Sequence, residues 1–348
     1  MRKVNLIVLG ILFAISTTYA QEAYTKKYHK EYKSDNSTTI EINNRYGNVH
    51  VENWEQNSIS IDVLITVKNN SKERAENTFK KIDITFKEIG NTVSAITEIT
   101  ESINNIKFSI DYNIKIPKDI NVNFSNKYGD LFLDELNGHA QITTKYGNLT
   151  INKLSRGNVK PLNYINISYS TGVCNINESD WLQLETKYSK VQLNTNNALM
   201  IESKYSSVKV KKSVSIVSRS KYDHPFRVGT TKNFITTAEY SNFEIENVLK
   251  RIEADVKYSD FDIKNVANDF DLVKLRLRYG SSDIKISENA SYTLEAEAAY
   301  GSVHYPKSNT LNKVIDQTES KIWGKVGNNK NTDSKVIIDT KYGSVNLE

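Results

Sequence analysis

Cysteine, methionine, tryptophan and proline are all scarce in this 348-residue chain, at one, two, three and four residues. The single cysteine, Cys174, excludes an intramolecular disulfide, although disulfides are common in exported proteins. No cysteine stands directly after residue 20, which excludes a lipid anchor on an N-terminal cysteine. With no histidine near it in sequence, Cys174 reads as a small apolar filler. Strong charge of one sign is also missing. Formal net charge is +5, of which Arg2 and Lys3 contribute two. Nucleic-acid binders show a concentrated basic face, so this balance argues against nucleic acid as a partner. No apolar run beyond residue 15 is long enough to cross a bilayer, which needs about 20 residues.

Residues 1–20 have the pattern of a secretory signal. Arg2 and Lys3 form a positive start, Leu6 to Ile15 an apolar run, and Thr18-Tyr19-Ala20 a small-residue cleavage site. The expectation is export to the periplasm, the outer-membrane surface or the exterior.

Tyrosine is abundant, and it is periodic. Tyr46, Tyr128, Tyr146, Tyr169, Tyr188, Tyr205, Tyr222, Tyr240, Tyr258, Tyr279, Tyr300 and Tyr342 are each followed by Gly, by Ser or, at Asp223, by Asp. From Tyr128 to Tyr300 the spacings run from 17 to 23 residues. Nine copies carry an apolar residue three places on, as in Val49, Leu131, Val208 and Phe261. Such a period marks a repeat array, in which one unit cannot bury its apolar face alone but a stack can.

Each unit reads as strand, tight corner, strand, loose turn. Leu199, Ile201, Ser203 and Tyr205 share one parity, and Val208 and Val210 take up the other. Strand side chains alternate with period two, so an odd step marks a bend. Gly or Ser at the corner relieves crowding or bonds the local backbone. A second turn, rich in Asn, Gly and Lys, follows about eight residues later, as at Asn137-Gly138, Asn194–Asn197 and Lys211-Lys212. Stacking brings adjacent strands to about 4.8 Å. The expected fold is all-β, a parallel β-solenoid (β-helix), right-handed by default. The tyrosines from Tyr128 to Tyr300 would form an inward structural ladder at the corner. Pro117, Pro161, Pro225 and Pro306 all fall where the period is irregular, as residues unable to donate to a strand ladder should.

The 82 residues from Tyr46 to Tyr128 break the period. Ile59 to Val67 alternates as a strand. Asn70 to Ile82 reads as a short helix capped by Asn70, with Ala75, Phe79 and Ile82 on one face. Strands return near 82–87, 92–100 and 106–116. The predicted organisation is a leader over 1–20, a first rung with an α+β capping segment over 21–118, the solenoid over 119–305, and an excursion with a last rung over 306–348.

The runs Lys127-Tyr128-Gly129-Asp130-Leu131, Lys145-Tyr146-Gly147-Asn148-Leu149 and Lys341-Tyr342-Gly343-Ser344-Val345, after a strand ending Ile116-Pro117, resemble the bacterial putative-adhesin β-strand-repeat family, a domain of unknown function. The resemblance spans residue 110 to the C-terminus and departs from the family in the Ser copies. It implies export, a single-stranded β-helix and no established activity, and it supplies no catalytic residues.

A search for chemistry finds little. His29, His50, His139, His224 and His304 lack the clustered spacing of metal ligands, so no metal or cofactor is expected. Asp260, Asp262 and Asp283, with Asp269 and Asp271 nearby, could form the carboxylate cluster of a polysaccharide-cutting enzyme. They also fit a solvated strand face. More distinctive is the residue before the tyrosine, which is Lys or Arg in nine copies. Lys127, Lys145, Lys187, Lys204, Lys221, Lys257 and Arg278 belong to this set. Stacking would align them in an outward stripe, with Glu185, Glu202, Asp255 and Asp339 interleaved two residues earlier. The stripe either keeps a rod soluble or contacts an anionic polymer. Three functions follow. One is a non-catalytic envelope scaffold or adhesin-like protein, with acidic polysaccharide, lipopolysaccharide or another envelope protein as partner. The second is a polysaccharide-active β-helix enzyme. The third is a periplasmic sensor or assembly partner.

Overall fold

The computed structural model describes residues 22–307, 310–329 and 331–348, and the expected leader lies outside them. The described chain is almost all β, 68% strand with one helix, in a long and mostly parallel sheet that is not closed. No helix among the described residues is long and apolar enough to cross a membrane.

The strands form two parallel runs, joined at the tyrosines. Strands that precede a tyrosine pair with one another. Ile42, Phe124, Ile142, Ile165, Leu184 and Ile201 are successive cross-strand neighbours. Strands that follow a tyrosine form the second run, with Val51, Leu133, Ile151, Ile176, Leu193 and Val210 in line. Both rows are buried and share one continuous apolar core. At about 25 cal/mol per Å² of apolar surface, that stacking is the main driving force for the fold.

The second turn is tighter than the Asn-rich sequence suggests. In the middle repeats the ladder runs through it. Val173–Lys187, Lys190–Lys204, Ser207–Lys221 and Phe243–Lys257 are each continuous strands of 15 residues. Near-equal unit lengths keep most of the ladder in register across the bend. The register shifts at Thr231/Asn233 and again at Ile263/Val266.

Between Tyr46 and Tyr128 the helix spans Lys72–Phe79. Its cap is Ser71, not Asn70, and accepts from the Arg74 amide at 3.4 Å. Ile82 opens the next strand instead of closing the helix. Thr92–Ile99 pairs in parallel with Thr39–Arg45, and Lys107–Ile116 with Val49–Asn53. Antiparallel partners flank both, and the outermost is Ala23–Lys33.

At the other end, chain order and spatial order part. Lys335–Lys341 pairs with Leu272–Arg278 on one side and with Tyr292–Ala299 on the other. The last repeat in sequence is therefore threaded between the two before it. The hairpin Leu311–Asp316 and Glu319–Val326 then pairs antiparallel on Tyr292–Ala299. Tyrosine spacing carries no information about this inversion.

Candidate functional site: the tyrosine ladder and its flanking rows

All twelve corner tyrosines have positive φ, from 50° at Tyr188 to 63° at Tyr46. Asn105 and Gln317 are the only other non-glycine residues of that kind among those described. The left-handed conformation falls on the tyrosine itself, not on the Gly or Ser after it. It also breaks the strand alternation and sends the ring outward. This corrects the expected inward ladder: the rings are roughly half exposed, from 37% at Tyr169 to 55% at Tyr300 among the most open ones. They stack face to face, 4.8 to 5.1 Å between centroids, from Tyr46 through Tyr279 to Tyr342 and then Tyr300. Phe108 packs on the first ring at 5.3 Å. A left-handed residue costs about 1–2 kcal/mol, and each aromatic pair returns about 0.5–1.5 kcal/mol.

The residue after the tyrosine is Gly or Ser in all units but one, and is buried in most of the middle repeats. Gly47, Gly129 and Gly147 occupy one end, and Gly280, Gly343 and Gly301 the other. A Cβ on Gly129 would lie 1.9 Å from the Gly47 carbonyl oxygen. In the middle repeats Ser189, Ser206, Ser241 and Ser259 bond between units instead. The Ser241 amide donates to Ser259 Oγ at 3.0 Å, and Ser259 Oγ donates to the Lys257 carbonyl at 2.8 Å. Asp223 replaces Ser in one unit and is fully buried. Its carboxylate accepts from Ser203 Oγ, Ser220 Oγ and the Ser206 amide. Burial pushes its pKa above the usual carboxylate range despite these bonds.

The residues before the tyrosines lie side by side in one row. Arg45, Lys127 and Lys145 are successive neighbours. Ser168 separates them from Lys187, Lys204 and Lys221. Glu239 follows, then Lys257, Arg278 and Lys341. Several ammonium groups lie against the rings, among them Lys127 at 4.9 Å from Tyr128 and Lys145 at 5.1 Å from Tyr146. Such cation–π contacts contribute about 0.5–1 kcal/mol at exposed sites and hold the amines beside the ladder.

The interleaved acids bond mainly to arginines of their own row. Arg219 meets Glu202 at 2.9 Å, and Arg276 meets Asp255 at 3.2 Å and Asp339 at 3.3 Å. Within the stripe, Arg278 pairs with Asp339 at 2.7 Å. Its hydrogen bond is the main reason that Asp339 titrates below the usual carboxylate range. Lys221 bonds Glu239 at 2.9 Å, a contact absent from the sequence reading because Glu239 takes a stripe position.

The carboxylates proposed for catalysis come together only in part. Asp262 accepts the Asp283 amide at 3.1 Å, and Asp260 accepts the Ser281 amide at 3.1 Å and its hydroxyl at 2.6 Å. Desolvation, with Asp283 and Asp260 adding to it, raises the Asp262 pKa. Asp269 and Asp271 face Lys250 instead. The five histidines stay apart. His50 stacks on Phe132 at 4.7 Å, and His139 is held at 3.0 Å from the Leu162 carbonyl. No cluster of three metal-ligating side chains occurs among the described residues. Cys174 is buried, with its thiol pKa raised by desolvation.

Comparison with known proteins gives a general likeness. No family model matches the chain, and no curated protein does. Among solved structures, a putative adhesin from Bacteroides fragilis is 11% identical, with 93% of this chain and 97% of that one covered and a TM-score of 0.33. A putative adhesin from Parabacteroides merdae is 9% identical, with 93% and 96% covered and a TM-score of 0.34. A putative cell adhesion protein from Clostridium sporogenes is 10% identical, with 93% and 99% covered and a TM-score of 0.20.

Proposed function

We propose that the chain is an exported, non-catalytic, adhesin-like rod of the bacterial envelope that contacts an anionic polymer through its basic stripe. The two parallel runs are the flanks of one β-solenoid, and residues 58–116 cap its first rung. The leader pattern of residues 1–20 supports export. The observation that carries the reading is the stripe. Lys and Arg recur at one level per rung, side by side with rungs about 4.8 Å apart. Like charges opposite one another across strands are destabilising, so an array of them is better suited to a bound polyanion than to the free rod. Arg45, Lys127 and Lys145 have only Asn43, Ser125 and Thr143 two residues earlier, so no acid interleaves with them. The carboxylates around Asp260 are occupied by main-chain amides, which favours a structural role over the alternative of glycoside cleavage.

The test is binding of the mature protein to polyuronate and polyphosphate at rising salt. Affinity should fall steeply with salt, and the triple variant Lys187→Glu, Lys204→Glu, Lys257→Glu should abolish it. Unchanged binding by that variant would reject the stripe.

A further inference from the structure

Beside the tyrosine ladder a groove follows the long axis of the stack. It is visible as three cavities of about 190, 470 and 290 Å³, over residues 166–204, 202–257 and 278–341. The first two repeat one plan, and the third is closed on one side by the end hairpin. The wall nearest the tyrosines is the basic row, with Lys187, Lys204, Lys221 and Lys257. The far wall, two residues earlier on each strand, carries Glu185, Glu202 and Asp255. The charges are reversed on two adjacent rungs: Arg219 stands in the acidic wall and, one rung on, Glu239 in the basic one, bonded to Glu202 and Lys221 respectively at 2.9 Å. Beyond the acidic wall the strand faces water, and polar residues are the rule there. Three neighbouring rungs break it. Met200, Val217 and Ile235 lie side by side, 38%, 47% and 41% exposed, between Gln183 and Glu253. Contiguous exposed apolar residues rimmed by polar ones mark interaction surfaces.

We propose that this groove binds an extended polyuronate, laid along the rod with one sugar per rung over residues 199–257. The proposal rests on the reading of the stripe as a polyanion contact and narrows the polymer to a saccharide. The period selects it. Rungs recur every 4.8 to 5.0 Å, as the ring ladder measures, which is close to the length of one pyranose unit in an extended chain. An extended peptide advances about 3.3 Å per residue, and a stacked nucleic-acid strand about 3.4 Å per nucleotide, so neither stays in step with the rungs. The two walls select it as well. Each sugar of a polyuronate carries one carboxylate, for the lysine wall, and neighbouring hydroxyls, which donate to Glu202 and Asp255. The C–H face of the rings fits the Met200–Val217–Ile235 strip. The reversed pair sets the register along the groove.

The experiment is calorimetric titration of the mature protein with β-linked oligouronates of two to eight units, and with polyphosphate of matched charge. Oligouronate affinity should rise with each added sugar until the groove is filled, then level off. Val217→Ser and Glu202→Gln, both at exposed strand positions, should each weaken oligouronates by roughly tenfold without weakening polyphosphate binding. Equal affinity for both polymers, or indifference of both variants, overturns the saccharide assignment while the basic stripe stands. Failure of both polymers to bind the wild-type protein overturns the stripe and the saccharide assignment together.

Discussion

At the scale of single residues, the corner is a three-part device. Tyrosine takes the left-handed turn, the residue before it carries the charge, and the residue after it decides how two units meet. Gly and Ser are not interchangeable there. Gly129 lies where a side chain would strike the Gly47 carbonyl. Gly129→Ala should therefore cost about 3 kcal/mol, at the upper end of overpacking effects. Ser206→Gly removes a hydroxyl that donates to the Lys204 carbonyl and accepts from the Ser189 amide. It should cost about 1–2 kcal/mol. Urea denaturation of both variants checks the order, and a larger loss for Ser206→Gly would refute it. Asp223 gives a pH test. Its folded pKa is raised by burial, so the protonated form favours the fold. That stabilisation is complete below the unfolded pKa of about 3.9 and is lost as pH rises through the folded value. Asp223→Asn should gain stability over the wild type at pH 7, with the gap closing toward pH 4. A gap independent of pH would contradict the assignment.

At the scale of elements, the informative piece is the threaded strand. Ile338 is 1% exposed, between Leu275 and Ala296. In the strand ladder, Tyr292–Ala299 and Ser302–His304 join the main stack through Lys335–Lys341 and Ser344–Leu347. Ile338→Asp buries a charge with no partner, which costs several kcal/mol. It should release residues 292–304 and the 311–326 hairpin together, while residues 173–257 keep their protection. Hydrogen exchange followed by mass spectrometry reads this directly. Uniform loss of protection along the chain would show that the end does not act as a unit. At the opposite end the outermost strand, Ala23–Lys33, is rich in lysine, which is a common guard against edge-to-edge association. The end hairpin instead exposes Val314 and Ile315.

At the scale of the whole molecule, the reading as one rod has a measurable length. Twelve tyrosine rungs at about 4.8 Å each give roughly 55–60 Å, before the flanking segments are added. Small-angle X-ray scattering of the mature protein should return an elongated particle with a maximum dimension above that figure. A compact, near-spherical particle would rule the rod out. Partner choice belongs to this scale too, because the stripe and the groove exist only as sums over many rungs. No single lysine among them is distinguished by its own surroundings.

The amino-acid sequence determined the repeat, its all-β character, the positions of the corners and the identity of the charged row. All of these follow from local alternation and from one tyrosine per unit, signals that survive without any knowledge of contacts. Tertiary structure alone decided the rest. Strand parity placed Tyr205 with the buried Leu199, Ile201 and Ser203, yet a positive φ turns its ring to solvent. That torsion is held by stacking on the rungs above and below, which no single repeat contains. The same holds for the threading of residues 335–348 between earlier units and for the apolar strip beside the groove. Each depends on which strands become neighbours in space, and near-identical repeats offer several pairings that local sequence cannot rank.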